Sequence, residues 1–165
     1  MKKFTFIFFL FIINNYAQKS DELTESFPIF PVCELLPYKF HKDCFNETID
    51  KHIQKNFIYP KQAWENDLEA IVKVKFEIDP NGSISNVISN SNIVGVSFFE
   101  RESLNLAKKL FNDAASKLIQ TLPNAIPAKK NNIAFKKTFV LCPLSTPSST
   151  ISGFFLLNTS ECNSN

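Results

Sequence analysis

The sequence predicts an α+β domain in which a small antiparallel β-sheet of three strands carries helices packed on one face. Apolar and charged residues alternate over 72–78, which is typical of a strand with one buried face. Apolar residues recur at helical spacing over 46–56 and 98–122, which is typical of amphipathic helices. The predicted order of helix, short helix, strand, strand, helix and strand fits helices on one face of an antiparallel sheet.

The N-terminal segment is typical of a secretory signal peptide. Two lysines precede an apolar run over 4–13, and Ala17 stands before the polar Gln18. Because a membrane-spanning helix needs about 20 apolar residues, we predict cleavage after Ala17 and a periplasmic location; retention of 1–17 as an anchor is the alternative. The chain has 18 Lys+Arg and 16 Asp+Glu. Loss of the two signal lysines leaves no basic surplus for nucleic-acid binding.

The four cysteines predict two local disulfides. An exported chain meets an oxidising environment, and four cysteines allow three pairings. The short closures Cys33–Cys44 and Cys142–Cys162 are favoured. A metal site formed by the first pair and the two histidines is the alternative, but the spacing matches no standard zinc motif. We therefore predict no metal and no cofactor.

The first helix is predicted over 46–56, with Asn46 as its N-cap. Pro60 favours the start of a short second helix over 61–66, because proline suits the first turn. The only tryptophan, Trp64, is interpreted as a core or edge anchor between helix and sheet. The apolar side of the first helix consists of residues four apart: Phe45, Ile49 and Ile53.

A β-hairpin follows. Asp79-Pro80-Asn81-Gly82 has the chemistry of a tight turn, since proline presets φ and glycine tolerates the exit. A second strand begins at Ile84, and its apolar phase changes before Val87. A β-bulge would place Ile84 and Val87 on one face. The buried positions of the first strand are Val72, Val74, Phe76 and Ile78.

The last helix is predicted over 98–122, opened by a capping box from Ser97 to Glu100. A kink or a break is expected near 112–113. A connector over 122–127 leads to the last strand over 133–141, and a Ser/Thr/Asn-rich tail follows. The apolar helix face is predicted from Phe99, Leu106, Leu110, Ala114 and Leu118.

Several of these pieces, in this order, resemble the C-terminal domain of TonB, the envelope protein that couples inner-membrane energy to outer-membrane transporters. They are Tyr59-Pro60, Ala63, the strand at 72–76, the turn Asp79 to Gly82 and the stretch 99–102. The likeness covers about 57–142. The chain is thus divided into a signal peptide (1–17), an irregular lead-in lying against the domain (18–45), a TonB C-terminal-like domain (46–142) and a tail (143–165).

The resemblance implies a partner site. In the family, the last strand is an edge strand to which a short transporter segment, the Ton box, adds by backbone hydrogen bonding. The partner is then an outer-membrane TonB-dependent transporter or another envelope protein, and an inner-membrane energising complex only if the chain is anchored. Two lysines fit an edge, since charge there discourages indiscriminate pairing, and Lys137 is expected on the wet face. The matching residues are Ile133, Phe135, Lys136, Lys137, Phe139 and Leu141.

Catalysis is not predicted, because the chain has no nucleophile elbow, phosphate-cradling glycine loop or metalloprotease histidine pair. Departures from the family pattern are Ala70, Pro127-Ala128 and the lack of a long proline-rich spacer. A cleaved chain could bind but could not pull. The alternatives are an energy transducer anchored by 1–17, or a disulfide-stabilised structural or interaction protein that reuses the fold.

Overall fold

The computed structural model describes residues 25–95, 100–143 and 154–157. The predicted signal peptide, Ser97 of the capping box, Phe99 and the second cysteine pair lie outside the described residues and side chains. In the described part, the helices are α1 (His41–Asn56), α2 (Lys61–Glu65) and α3 (Arg101–Gln120). The strands are β1 (Glu25–Ser26), β2 (Glu69–Ile78), β3 (Ile84–Val94), β4 (Lys129–Lys130), β5 (Ile133–Ala134), β6 (Lys137–Pro143) and β7 (Phe154–Leu157).

The central layer is an antiparallel sheet in the order β3-β2-β6-β7, and a small second sheet has the order β1-β4-β5. Helices α1 and α3 pack on one face of the central sheet, and the core lies between these layers. The predicted α+β class is therefore confirmed. The three predicted strands correspond to β2, β3 and β6, and the tail adds β7 as a fourth. Within the described ranges, none of the helices is both long and apolar enough to span a membrane.

The β2–β3 hairpin forms as its sequence predicts. Val74, Phe76 and Ile78 are buried on the helix side of β2, where burying each apolar side chain contributes about 1.5–3 kcal/mol. The register between the strands shifts from Lys75↔Ile88 to Glu77↔Ser85. The predicted bulge is confirmed, because two residues of β3 lie opposite one residue of β2. Both Ile84 and Val87 pack against the core.

Gly82 lets the hairpin turn pack closely against the connector that follows α3. Its backbone has φ +85°, a conformation that costs other residues free energy. The Gly82 amide donates to Asp79, and the Gly82 carbonyl accepts from the Ala125 amide at 2.8 Å. A Cβ atom at position 82 would lie 1.9 Å from the Ala125 carbonyl oxygen. The turn therefore requires glycine for space as well as for its backbone conformation.

Helix α1 begins five residues before the predicted start, which corrects the N-cap assignment. A 3₁₀ turn, Tyr38–Phe40, leads directly into His41, so Asn46 lies inside the helix. The Asn46 Oδ1 atom is buried there without a hydrogen-bond partner. The predicted apolar face is confirmed, since all three of its residues are buried: Phe45, Ile49 and Ile53.

Helix α3 is continuous, so the predicted kink or break near 112–113 is wrong. Of the predicted face, Leu118 is buried, Leu110 and Ala114 are half-buried and Leu106 is 57 % exposed. The rest of the buried face lies one residue further along the helix. The opposing surface of β3 explains the shift, because Ser91 Oγ donates to the Lys108 carbonyl and Ser89 shares a hydrogen bond with Ser116. These hydrogen bonds fix the rotation of α3 against β3. The buried residues of α3 are Ala107, Phe111, Ala115, Leu118 and Ile119.

The described part of the lead-in, which begins at Glu25, packs into the core and is joined to α1 by the disulfide Cys33–Cys44. The Phe30 ring stacks on Phe45 at 4.8 Å between centroids. Phe27 makes edge contacts with Phe45 at 5.3 Å and with Phe139 at 5.8 Å. The first disulfide prediction is confirmed, and the segment completes the core at the border of α1 and β6.

Candidate partner-binding edge

Strand β6 lies between β2 and β7 in the central sheet. Its pairing with β2 shows which face of the sheet its side chains occupy. Phe139 lies opposite Phe76, and Leu141 lies opposite Val74. All four side chains are buried, so Phe139 and Leu141 point toward the helices. Thr138 and Val140 lie opposite Glu77 and Lys75 on the other face. The open face of β6 therefore carries Thr138 and Val140.

The predicted last strand is divided in two, which corrects three of the candidate site residues. Ile133 belongs to β5, which pairs with β4, while Phe135 and Lys136 lie between β5 and β6. Asn131 and Asn132 both have positive φ and form a two-residue hairpin turn, for which such residues are favoured. The two consecutive asparagines were the sequence signal for this break.

Lys137 lies on the helix side of β6, so its predicted position on the wet face is wrong. It is opposite the buried Ile78, and its Nζ atom is 5.3 Å from the centroid of the Phe27 ring. The same Nζ atom donates to Glu25 Oε1 at 2.8 Å. A long amphipathic side chain can cover an apolar ring and keep its charge at the surface. Lys137 thus attaches the lead-in to β6.

The Glu25–Lys137 pair makes part of the stability depend on pH. Hydrogen bonding and attraction from Lys137 hold the pKa of Glu25 below its ordinary value of 4.5. The stabilisation is present above this ordinary pKa and is lost as the pH falls through the lowered pKa. We expect Glu25→Gln to be slightly less stable than the parent at pH 7, with the difference disappearing as the pH falls through the lowered pKa of Glu25.

Urea unfolding followed by circular dichroism from pH 7 to pH 2.5 measures this difference. Glu34→Gln is the matched control, since Glu34 is an exposed acid of the same segment. A difference between Glu25→Gln and the parent that does not change over this range would contradict the pairing.

Lys136 holds the start of β6 to the hairpin turn. Its Nζ atom lies 3.0 Å from Glu77 Oε2 and 3.4 Å from Asp79 Oδ1. Hydrogen bonding to these two carboxylates raises the pKa of Lys136, and the bond from Lys136 lowers the pKa of Glu77. Two predicted motif residues therefore stabilise the turn: Asp79 by its contact with Lys136, and Gly82 by its hydrogen bonds with Asp79 and Ala125.

The outer edge of β6 is paired with a strand from the tail. The residues Val140, Leu141, Cys142 and Pro143 lie opposite Leu157, Leu156, Phe155 and Phe154 in an antiparallel register. Strand β7 also lies close to α1. The edge predicted to receive a partner is therefore occupied over 140–143 by the chain itself.

The other two motif residues, Tyr59 and Pro60, immediately precede α2. The Tyr59 hydroxyl donates to the Leu68 carbonyl, and its ring meets the edge of Phe111 at 5.6 Å. Burial, with a smaller contribution from the charge of Glu69, raises the pKa of Tyr59. Pro60 stands at the N-cap position of α2 in extended conformation. Tyr59 therefore joins the α2 segment to α3, and Pro60 stands where α2 begins.

Trp64 is 73 % exposed, so its interpretation as a core or edge anchor is wrong. Helix α2 is only five residues long, and its buried position is taken by Ala63. The Trp64 ring touches the edge of Tyr59 at 6.2 Å between centroids and otherwise faces solvent.

The cysteines and histidines of the lead-in and α1 do not form a common site. Cys33 and Cys44 are joined to each other. His41 Nε2 lies 2.8 Å from the Leu36 carbonyl, while His52 Nε2 lies within 3.2 Å of the Leu118 carbonyl and Thr121 Oγ1. In the part of the chain that the structure describes, no group of His, Cys, Asp and Glu is arranged to hold a metal ion.

Comparison with known protein families identifies the region that contains this edge. The family model described as Gram-negative bacterial TonB protein C-terminal matches residues 55–139, just over half of the chain. The match runs from the end of α1 into β6, and it leaves the disulfide and β7 outside. The predicted resemblance is confirmed. No curated protein and no solved structure matches the chain.

Proposed function

The chain belongs to the TonB C-terminal family, and we propose that it is a periplasmic partner-binding domain of TonB-dependent transport. Its partner is a short extended segment of an outer-membrane transporter or of another envelope protein. The segment adds as a strand to the outer edge of β6, so that backbone hydrogen bonds supply the binding. The protein acts by binding and not by catalysis.

The observation that carries this proposal is the pairing on the outer edge of β6. Four consecutive residues, Val140 to Pro143, have strand partners there in regular register. This part of β6 contains no charged residue, and an uncharged edge attracts other strands unless something covers it. The two lysines that were expected to blunt the edge are engaged elsewhere, Lys136 with the turn and Lys137 with the lead-in. The edge is thus suited to strand addition.

The periplasmic assignment rests on the N-terminal sequence, in which a short apolar run after two lysines indicates export. We expect the mature chain to begin near Gln18. Mass spectrometry of the protein purified from envelope fractions measures this directly. A mature chain that retains residues 1–17 would favour the anchored energy transducer instead.

Strand addition predicts which changes in the ligand affect binding. The probe is a synthetic peptide that carries a transporter Ton box, titrated into the full chain by calorimetry. Two further peptides are N-methylated at alternate residues, one on the odd and one on the even positions. In a peptide paired with β6, only every second amide faces β6. Each backbone hydrogen bond that methylation removes weakens binding by about 0.5–1.5 kcal/mol. We expect one methylated peptide to bind about tenfold more weakly or worse, and the other nearly as well as the parent peptide.

The matched control in the protein is Thr138→Ala, which changes a side chain on the open face of β6 and leaves the backbone intact. Its affinity should stay within about threefold of the parent, a difference below 1 kcal/mol. Equal binding of both methylated peptides would contradict strand addition as the mode of recognition.

A further inference from the structure

Strand β7 occupies the same residues of β6 that the proposed function assigns to the partner. Its four residues pair with Val140 to Pro143, and it lies close to α1 at the border of the sheet. A sheet edge forms one set of hydrogen bonds, so it accepts one strand at a time. We propose that Phe154–Leu157 is a ligand in cis for the edge of β6, and that any added strand must displace it. The identity of the displacing partner rests on the proposed function, whereas the cis pairing does not.

The two ends of β6 are covered in different ways. At its N-terminal end, the lead-in packs on Lys137 and Phe139 through Glu25 and Phe27, and the disulfide Cys33–Cys44 fixes that segment to α1. At its C-terminal end, the cover is a four-residue strand joined to β6 through residues 144–153. The disulfide fixes the first segment covalently, whereas within the described residues the second is held to β6 by the pairing of four residues. The exchangeable part of the edge is therefore Val140 to Pro143.

A ligand in cis has a calculable effect on affinity. A short linker gives an effective concentration of about 1 mM. If the isolated segment bound with a Kd of about 0.1 mM, it would occupy about nine-tenths of the molecules, and the apparent Kd of a partner would rise about tenfold. The tail thus raises the affinity that a partner segment needs in order to bind, and weakly pairing segments do not reach it. The segment itself indicates which strands compete well, since all four of its residues are apolar.

The first test needs no partner. In the variant Phe155→Pro with Leu156→Pro, at least one amide that faces β6 is lost, because the amides of neighbouring residues point to opposite sides of a strand. We expect the outward amides among Val140, Leu141 and Cys142 to exchange hydrogen about tenfold faster than in the parent. The amides that pair β2 with β3 should not change. Unchanged exchange at 140–142 would overturn the cis pairing.

The matched control replaces the same two residues with alanine and keeps both amide donors. Its exchange at 140–142 should stay closer to that of the parent than to that of the proline variant. If alanine and proline accelerate exchange equally, backbone pairing is not what holds the segment. Circular dichroism on all three proteins verifies that the domain remains folded.

The second test uses a labelled peptide with the sequence of residues 153–158, extended by lysines for solubility. We expect it to bind the proline variant about tenfold more tightly than the parent, because the parent edge is filled. Equal affinities would overturn the competition in cis. Dimers of the parent that increase with concentration and disappear in the proline variant would also overturn it, since the segment would then be seated on a second copy.

Failure of this inference and failure of the proposed function can be separated with the Ton-box peptide. If that peptide binds the parent and the proline variant equally well, the function stands and the competition in cis is wrong. If it binds neither, while the tail peptide binds only the proline variant, the cis ligand stands and the Ton box is not the partner.

Discussion

Replacing Phe76 with alanine is expected to lower the free energy of unfolding by about 3–5 kcal/mol. The side chain is fully buried, and its ring stacks on Phe139 with centroids 5.5 Å apart. It lies in β2, which has a neighbouring strand on both sides, so the backbone is held and a cavity there closes poorly. Urea unfolding followed by circular dichroism measures the loss.

Lys75→Ala is the matched control for this substitution. Lys75 is the preceding residue of the same strand, and its side chain lies on the open face. Surface changes of this kind usually alter stability by no more than about 0.5 kcal/mol. Equal losses at positions 75 and 76 would mean that the faces of β2 are assigned wrongly.

Gly82→Ala is expected to cost about 2–5 kcal/mol, the sum of two effects. The positive φ of residue 82 costs an L-residue about 1–2 kcal/mol. The new Cβ would also collide with the Ala125 carbonyl, and forced overpacking costs about 1–3 kcal/mol. Relief of the collision would lengthen the hydrogen bond between Ala125 and Gly82. The same unfolding measurement applies.

The chain provides a control that separates these two effects. Gly95 has a similar φ of +78°, but a Cβ atom there would meet nothing within 4 Å. Gly95→Ala should therefore show the conformational cost alone, about 1–2 kcal/mol. The difference between the two variants measures the contact between the turn and the connector. Equal losses of unfolding free energy in Gly82→Ala and Gly95→Ala would show that the connector moves away from the new Cβ atom without loss of stability.

The sequence by itself determined the β2–β3 hairpin, including its turn and its bulge. These features depend on neighbouring residues: alternation over 72–78 defines the buried face, and the proline and glycine of the turn restrict the backbone locally. The existence of α1 and its buried side also follow from a local period. The family, which the motif residues indicated, is confirmed for the region 55–139.

The face of α3 could not be determined in this way. One stripe, with Leu106 and Leu110, and another, with Ala107 and Phe111, are both apolar. Packing against β3 decides which stripe is buried, because hydrogen bonds from Ser89 and Ser91 fix the rotation of the helix against that strand. The one-residue error in the predicted face has this cause.

The partner edge was likewise only half determined by the sequence. Phe139 and Leu141 lie in β6 as expected from their spacing, but Ile133 is 73 % exposed in a separate hairpin. The charge of Lys137 favours a solvent-facing position in a sequence-based prediction. In the folded chain, Phe27 and Glu25 of the lead-in lie beside it and bind its side chain. The seating of Phe154–Leu157 on Val140 to Pro143 joins segments that no local period relates. Local patterns determine elements and their faces, whereas contacts between distant segments arise only when the chain is folded.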